Sequence, residues 1–175
     1  MTDIIRKQMY YVGFRQALSP VVDITRDPRW GRITETYGED AALTSAMASA
    51  FVKGIQGDEL KEGVLATAKH FAGHGITEGG LNMGRNIVSE RDMREIHCKP
   101  FQCAITEAGL KSVMNSYCSV NGEPVVGSKK MLTDILRGEM GFQGFVVSDY
   151  LSLDRLVDPF AVAENFEEAG IRAIQ

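Results

Sequence analysis

Cysteine is scarce in this chain of 175 residues: Cys98, Cys103 and Cys118 are the only three. An odd count without C-x-x-C spacing argues against a disulfide framework and a structural zinc site, and predicts buried free thiols. Long apolar runs are missing as well. None approaches membrane-spanning length, so no membrane partner is expected. No long basic run or aromatic-interleaved patch occurs and the net charge is −4, which argues against a nucleic-acid partner. Proline numbers only 5 while apolar residues make up 44%, a composition unlike that of a disordered chain. The opening MTDIIRKQMYYVGF is mixed and helix-like, unlike a signal peptide. What remains is one compact domain with enough length for a real core.

Four apolar runs are present, and each ends on a reactive group. ALSPVVD stops at Asp23, VLATAKH at Lys69 and His70, SVMNSY at Tyr117, and FVVSD at Asp149. A Gly- or Pro-containing loop and then a helical stretch follow each run. The pattern predicts a helix over residues 2–16 and a strand over 17–23 whose regular part Pro20 shortens. A polar loop (24–40) leads to a helix over about 40–55, closed near Gly57. A strand at 64–71 and a Gly-rich loop come next. A helix then starts at Ser89 with a Ser-x-x-Asp cap, kinks at Pro100 and ends at Gly109. Strands at 112–117 and 144–150 flank an NGEP turn and a helix over 128–140. A last helix runs from about Ala161. Strands alternating with helices predict an α/β fold with a parallel sheet. The fold class is a partial TIM-type (β/α) barrel of about four consecutive β–α units, since closure takes eight units and about 250 residues. In such a barrel the strand C-terminal ends converge on the face that holds the active site. An open sheet also exposes two edges, which predicts self-association.

Asp149 ends a strand of buried residue types. A carboxylate held there on a rigid element suits a nucleophile or base, although an Asp between strand and helix can also serve as a helix N-cap. Lys69 and His70 can grip hydroxyls of a polar substrate, or be a rim partner of a carboxylate and a satisfied core histidine. Adjacent strand residues point to opposite faces, so at most one points straight into a barrel unless the strand is ending there. His74 and His97 invite a metal reading with His70. The His-x-x-x-His spacing suits a helix, however, and this stretch is a strand end followed by a loop, so no metal is expected. Arg26, Arg29, Trp30 and Arg32 share a loop with Asp27, Glu35, Glu39 and Asp40. Most of these charges should pair within the loop, leaving one Arg to reach the pocket. The glycines at 73, 75, 79 and 80 fit neither phosphate-binding spacing.

Four motifs, SPVVDITRDPRWGRITETYGED, KHFAGHG, SVMNSYCSVNGEP and GFVVSDY, occur in this order across almost the whole chain. Together they closely resemble the N-terminal barrel domain of family 3 glycoside hydrolases, which are β-glucosidases, β-xylosidases and relatives. The resemblance implies retaining hydrolysis of terminal non-reducing β-glucosides or β-xylosides, with Asp149 as nucleophile and no cofactor. It implies substrate-binding roles for Arg32, Lys69, His70, Tyr117 and Tyr150, the last lining the next subsite. The substrate would be a β-linked oligosaccharide or an aryl glycoside. One branch of the family, acting on N-acetylglucosaminides, follows its KHFPGHG motif with an Asp-Ser-His segment. Here ITEGGLNMGRN follows, which favours the glucosidase/xylosidase branch.

In that branch a Glu of a downstream α/β-sandwich domain is the acid/base. The expectation is therefore a single fragment of the barrel domain over residues 1–175, without the first barrel strand or strands, the last units and the sandwich. An inactive, non-catalytic sugar-binding or structural piece is the alternative. Asp23 is expected to be structural, because it belongs to the VVDITRDP motif and does not match the family Asp that grips distal hydroxyls.

Overall fold

The computed structural model describes residues 1–174. Helix α1 (Thr2–Tyr11) stops short of residue 16, because Gly13 turns the chain at φ 94°. Strand β1 (Gln16–Ala17) has two residues. Ser19 and Pro20 fall outside the regular strand, yet the chain keeps following β2 (Leu65–Phe71). Thr67 N–H donates to Ser19 O at 3.0 Å, Lys69 N–H to Pro20 O at 3.0 Å, and Val22 N–H to Lys69 O at 2.7 Å. Pro20 is tolerated because this register asks it only to accept.

The main sheet is parallel, in the order β1-β2-β4-β7, with β4 at Ser112–Asn115 and β7 at Phe145–Val147. It is open, as a partial (β/α) barrel must be. Two helices cover one of its faces. Helix α2 (Ala41–Gln56) is capped by Asp40, whose carboxylate accepts the Leu43 N–H at 2.6 Å, and it closes at Gly57 with φ 66°. Its buried Ala48, Val52 and Ile55 meet Phe101 and Ala104 of helix α4 (Lys99–Ala108) and the β2 residues Ala66 and Ala68 in one core. Phe71 and Phe101 pack edge to face at 5.1 Å.

The single helix expected from Ser89 to Ala108 is segmented. It comprises α3 (Glu90–Asp92), a π-type turn at Met93–His97, and α4. Ser89 caps it through the Asp92 N–H, as its motif predicts. Pro100 has no N–H for the ladder, and just before it the chain bonds i to i+5, with Cys98 N–H donating to Met93 O at 2.8 Å. A second, small sheet was not foreseen. It joins β3 (Arg85–Asn86), β5 (Ser119–Val120) and β6 (Glu123–Pro124). The NGEP signal forms its hairpin, with Asn121 at φ 51° and Gly122 at φ 92°, the pair of positive φ angles that a type I′ turn needs.

The helix expected over 128–140 is Lys130–Glu139, with π-type hydrogen bonding. The last helix, α5 (Phe166–Ile174), begins later than Ala161. Residues 148–165 are mostly irregular, with a 3-10 turn at Asp154–Leu156 and Pro159 interrupting any earlier ladder. The three cysteines are free and buried. Among the described residues no helix is long and apolar enough to cross a membrane.

Candidate active site

The C-terminal ends of β2, β4 and β7 lie side by side, and with them His70, Asn115 and Asp149. Pairing of residues 19–22 along β2 delivers Asp23 to the same place. His70 is the centre. Its ring is buried, with Nδ1 2.7 Å from Asp23 Oδ2, and its backbone N–H donates to that same oxygen at 3.2 Å. Its Nε2 lies 3.1 Å from Arg32 Nη2 and 3.6 Å from Asp149 Oδ2. The His74 ring stands edge-on to it at 4.6 Å, with Trp30 behind His74 at 5.2 Å. Lys69, half-buried, precedes His70. The Lys69–His70 peptide bond is cis.

Arg32 reaches this centre from the polar loop. Its Nε and Nη2 donate to the two oxygens of Glu35, each at 2.8 Å, while Nη2 also meets His70. The expected division of the loop charges is therefore half right. Arg29 pairs with Asp27, but Arg32 both pairs within the loop and enters the site. Its guanidinium pKa is raised by the hydrogen bonds to Glu35 and then by the nearby Asp23 and Asp149. The same pair lowers the Glu35 carboxyl, with Lys69 and His70 adding to the effect.

Asp149 follows β7, its side chain 13% exposed. Its Oδ1 accepts the Tyr150 N–H at 2.7 Å, while Oδ2 is buried without a hydrogen-bond partner. No α-helix starts at Asp149, so the N-cap alternative does not apply. Asn115 clamps the turn: Oδ1 accepts the Asp149 N–H at 3.3 Å and Nδ2 donates to Ser152 Oγ at 2.7 Å. Tyr117 donates its hydroxyl to the Tyr150 carbonyl at 2.6 Å. Burial, reinforced by the negative charge of Asp149, pushes its phenol up to about 12. The Tyr150 ring is 78% exposed and joins the site through its backbone.

Two residues of this cluster were not assigned to the site from the sequence. Asn115 was passed over inside an apolar run. Asp23 was assigned to structure, though it too ends a run on a carboxylate, the signal that singled out Asp149. As for a metal, Asp23, His70 and His74 offer ligand atoms within 4.8 Å of one another. The fit is poor. Both His70 nitrogens are engaged, one by Asp23 and one by the Arg32 cation, so His70 offers an ion no free nitrogen. His74 Nε2 is engaged by Asn82, leaving its Nδ1 and Asp23 Oδ1 as the unpartnered atoms. His97, buried elsewhere, does not join the cluster.

The arrangement is a bare carboxylate oxygen ringed by a guanidinium, an imidazole and a phenol. The profile of the glycosyl hydrolase family 3 N terminal domain matches residues 1–175. A β-xylosidase of Formosa agariphila is 42% identical over 169 residues, covering 94% of this chain and 23% of that protein. A β-glucosidase structure from Erythrobacter marinus superposes with a TM-score of 0.95 at 35% identity, covering 99% of this chain and 23% of its own. A mutant β-glucosidase of Listeria innocua in complex with laminaribiose does so with a TM-score of 0.94 at 34% identity, covering 99% and 24%. The chain thus spans about a quarter of the length of these relatives. It belongs to the glycosyl hydrolase family 3 N terminal domain family.

Proposed function

We propose that this chain carries the nucleophile of a retaining β-glycosidase, acting on terminal non-reducing β-glucosides or β-xylosides. The observation that carries the reading is Asp149 Oδ2, a buried and unpartnered carboxylate oxygen at a strand end, beside Arg32, His70 and Tyr117. Asp149 attacks the anomeric carbon, the glycosidic bond breaks, and a glycosyl ester forms that water later hydrolyses. Arg32 sets a positive charge near the attacking carboxylate. Lys69 and Arg32 hold sugar hydroxyls, and contacts that tighten on the oxocarbenium-like centre raise the rate. His70, both of whose ring nitrogens are engaged, fixes Arg32 rather than gripping the sugar. Tyr117, with its phenol held protonated, stays neutral beside the nucleophile. The family relatives support the substrate class, being β-xylosidases and β-glucosidases by name, one of them bound to laminaribiose.

A second carboxyl group must protonate the leaving oxygen. Asp23 and Glu35, the carboxyl groups bonded to His70 and Arg32, are unsuited. Asp23 is sealed under His70, its side chain 1% exposed, and Glu35 is held below the usual carboxylate range by Arg32, the wrong direction for an acid. Following the resemblance to the branch whose acid/base Glu lies in a downstream domain, we place the acid outside this chain. Turnover of natural disaccharides by the chain alone is expected to be at least about 10²–10⁴-fold below that of a complete enzyme. An activated aryl leaving group needs little protonation. Incubation with a 2-fluoro aryl β-glycoside should add one sugar to the intact mass, and Asp149→Ala should abolish the addition. An unshifted wild-type mass would sink the reading for this chain.

A further inference from the structure

Asp23 stands in the site with no assigned role, and its geometry gives it one. A guanidinium can only donate hydrogen bonds. With Arg32 Nη2 at 3.1 Å, His70 Nε2 must therefore be the acceptor and carries no proton. The one ring proton sits on Nδ1, pointing at Asp23 Oδ2 at 2.7 Å. That oxygen also accepts the His70 backbone N–H at 3.2 Å, so a single carboxylate oxygen fixes both the ring and the main chain that bears it. Backbone pairing of Val22 with Lys69 holds the carboxylate in register.

The far side of the ring faces the nucleophile. Asp149 Oδ2 lies 3.6 Å from Nε2 and has no hydrogen-bond partner. With Nε2 bare, nothing on His70 can donate to that oxygen. With the proton on Nε2, its single N–H would be free to turn toward Oδ2, and Nε2 could no longer accept from Arg32. The attacking lone pair would be tied up and the guanidinium would lose its acceptor on the ring. A side chain on the opposite face of the imidazole thus decides whether the attacking oxygen is free.

We propose that Asp23 is a positioning residue. By holding the His70 proton on Nδ1, it makes Nε2 an acceptor for Arg32 and keeps His70 from donating a hydrogen bond to Asp149 Oδ2. This rests on the reading of Asp149 as the nucleophile. A purely structural Asp23 would stabilise the fold without selecting the tautomer.

The test pairs a spectrum with a rate. The chain has only 3 histidines, so long-range ¹⁵N–¹H correlation of the labelled imidazoles can assign each ring, with His70 identified by the signals that His70→Gln removes. In the wild type the His70 proton should reside on Nδ1. Asp23→Ala should move it to Nε2 and slow labelling by the 2-fluoro aryl glycoside about 10- to 100-fold, the range expected for one charge-assisted hydrogen bond. Asp23→Asn, whose amide oxygen can accept the same two N–H groups, should keep the tautomer and recover most of the rate. An Nε2 proton in the wild type overturns the proposal. So does Asp23→Ala with an unmoved proton or with labelling within about twofold of wild type. Should Asp23→Ala fail to fold, Asp23→Asn decides, since a more than tenfold loss with an unmoved proton is incompatible with the role. An unlabelled wild type counts against Asp149 as nucleophile, while the spectrum still settles where Asp23 holds the proton.

Discussion

Arg32 is the side chain on which most of the site's charge converges, and its shape matters as much as its sign. It meets both oxygens of Glu35 and His70 Nε2 at once. A lysine ammonium is a point donor that cannot span both carboxylate oxygens and the imidazole. Arg32→Lys should retain the charge yet slow covalent labelling about 10–100-fold, the effect of one or two charge-assisted hydrogen bonds. Equal rates for the two proteins would mean that charge alone suffices. His97 gives a different kind of residue-level test. Burial holds its imidazole down to about 4, from an ordinary 6.5. Between those values the unfolded chain binds more protons than the folded one. Stability is therefore full above pH 6.5 and falls as pH drops toward 4, by on the order of 3 kcal/mol in total. The buried His74 is lowered too and adds in the same direction. Urea midpoints measured from pH 7 to 4 should show this decline, and His97→Leu should flatten part of it. An unchanged slope in the variant would remove His97 as the source.

Strand β7 brings Asp149 to the site, and its pairing depends on a close backbone approach. A methyl group built on Gly144 would lie 2.1 Å from Lys111 O, the carbonyl that accepts the Phe145 N–H and starts the β4–β7 ladder. Gly144→Ala should destabilise the fold by about 1–3 kcal/mol through overpacking against immobile backbone. It should also slow labelling, because the β7 end shifts with its ladder. A thermal melt and a labelling time course check both, and an unshifted melting temperature would refute the steric argument. This dependence was not legible in the sequence, where Gly144 reads only as the first residue of a strand. The legible parts were those with a local signature. The apolar runs at β2, β4 and β7, the Ser89 cap and the Gly57 and Gly109 stops each rest on a few neighbouring residues. The pairing of β3 with β5 depends on partners distant in sequence. The site divides in the same way. Strand-end residues could be singled out singly, but the approach of Asp23 to His70 is set by register between residues 47 positions apart.

At the scale of the whole molecule, the sheet has two edges without a neighbour. Among the described residues β1 pairs only with β2, and β7 only with β4. Unpaired N–H and C=O groups on an edge template further pairing, and natural sheets blunt them with charge or cover. The β1 edge is only partly so protected, by the exposed Arg15 before it and Pro20 beyond it. Phe14 and Leu18 beside β1 are 58% and 49% exposed, and Phe145 at the start of β7 is 46% exposed. The net charge of −4 offers little repulsion over 175 residues. Edge pairing between copies would bury these side chains and complete ladder bonds together, so association should grow with concentration. Light scattering of the chain is expected to show species larger than the monomer. Phe145→Lys, which places a charge on the β7 edge and removes its apolar side chain, should shift the distribution toward monomer. Because its side chain is already half in solvent, the melting temperature should change little. A monodisperse wild-type monomer with a cooperative melt would mean that the two edges are blunted by the local twist of strands only two and three residues long.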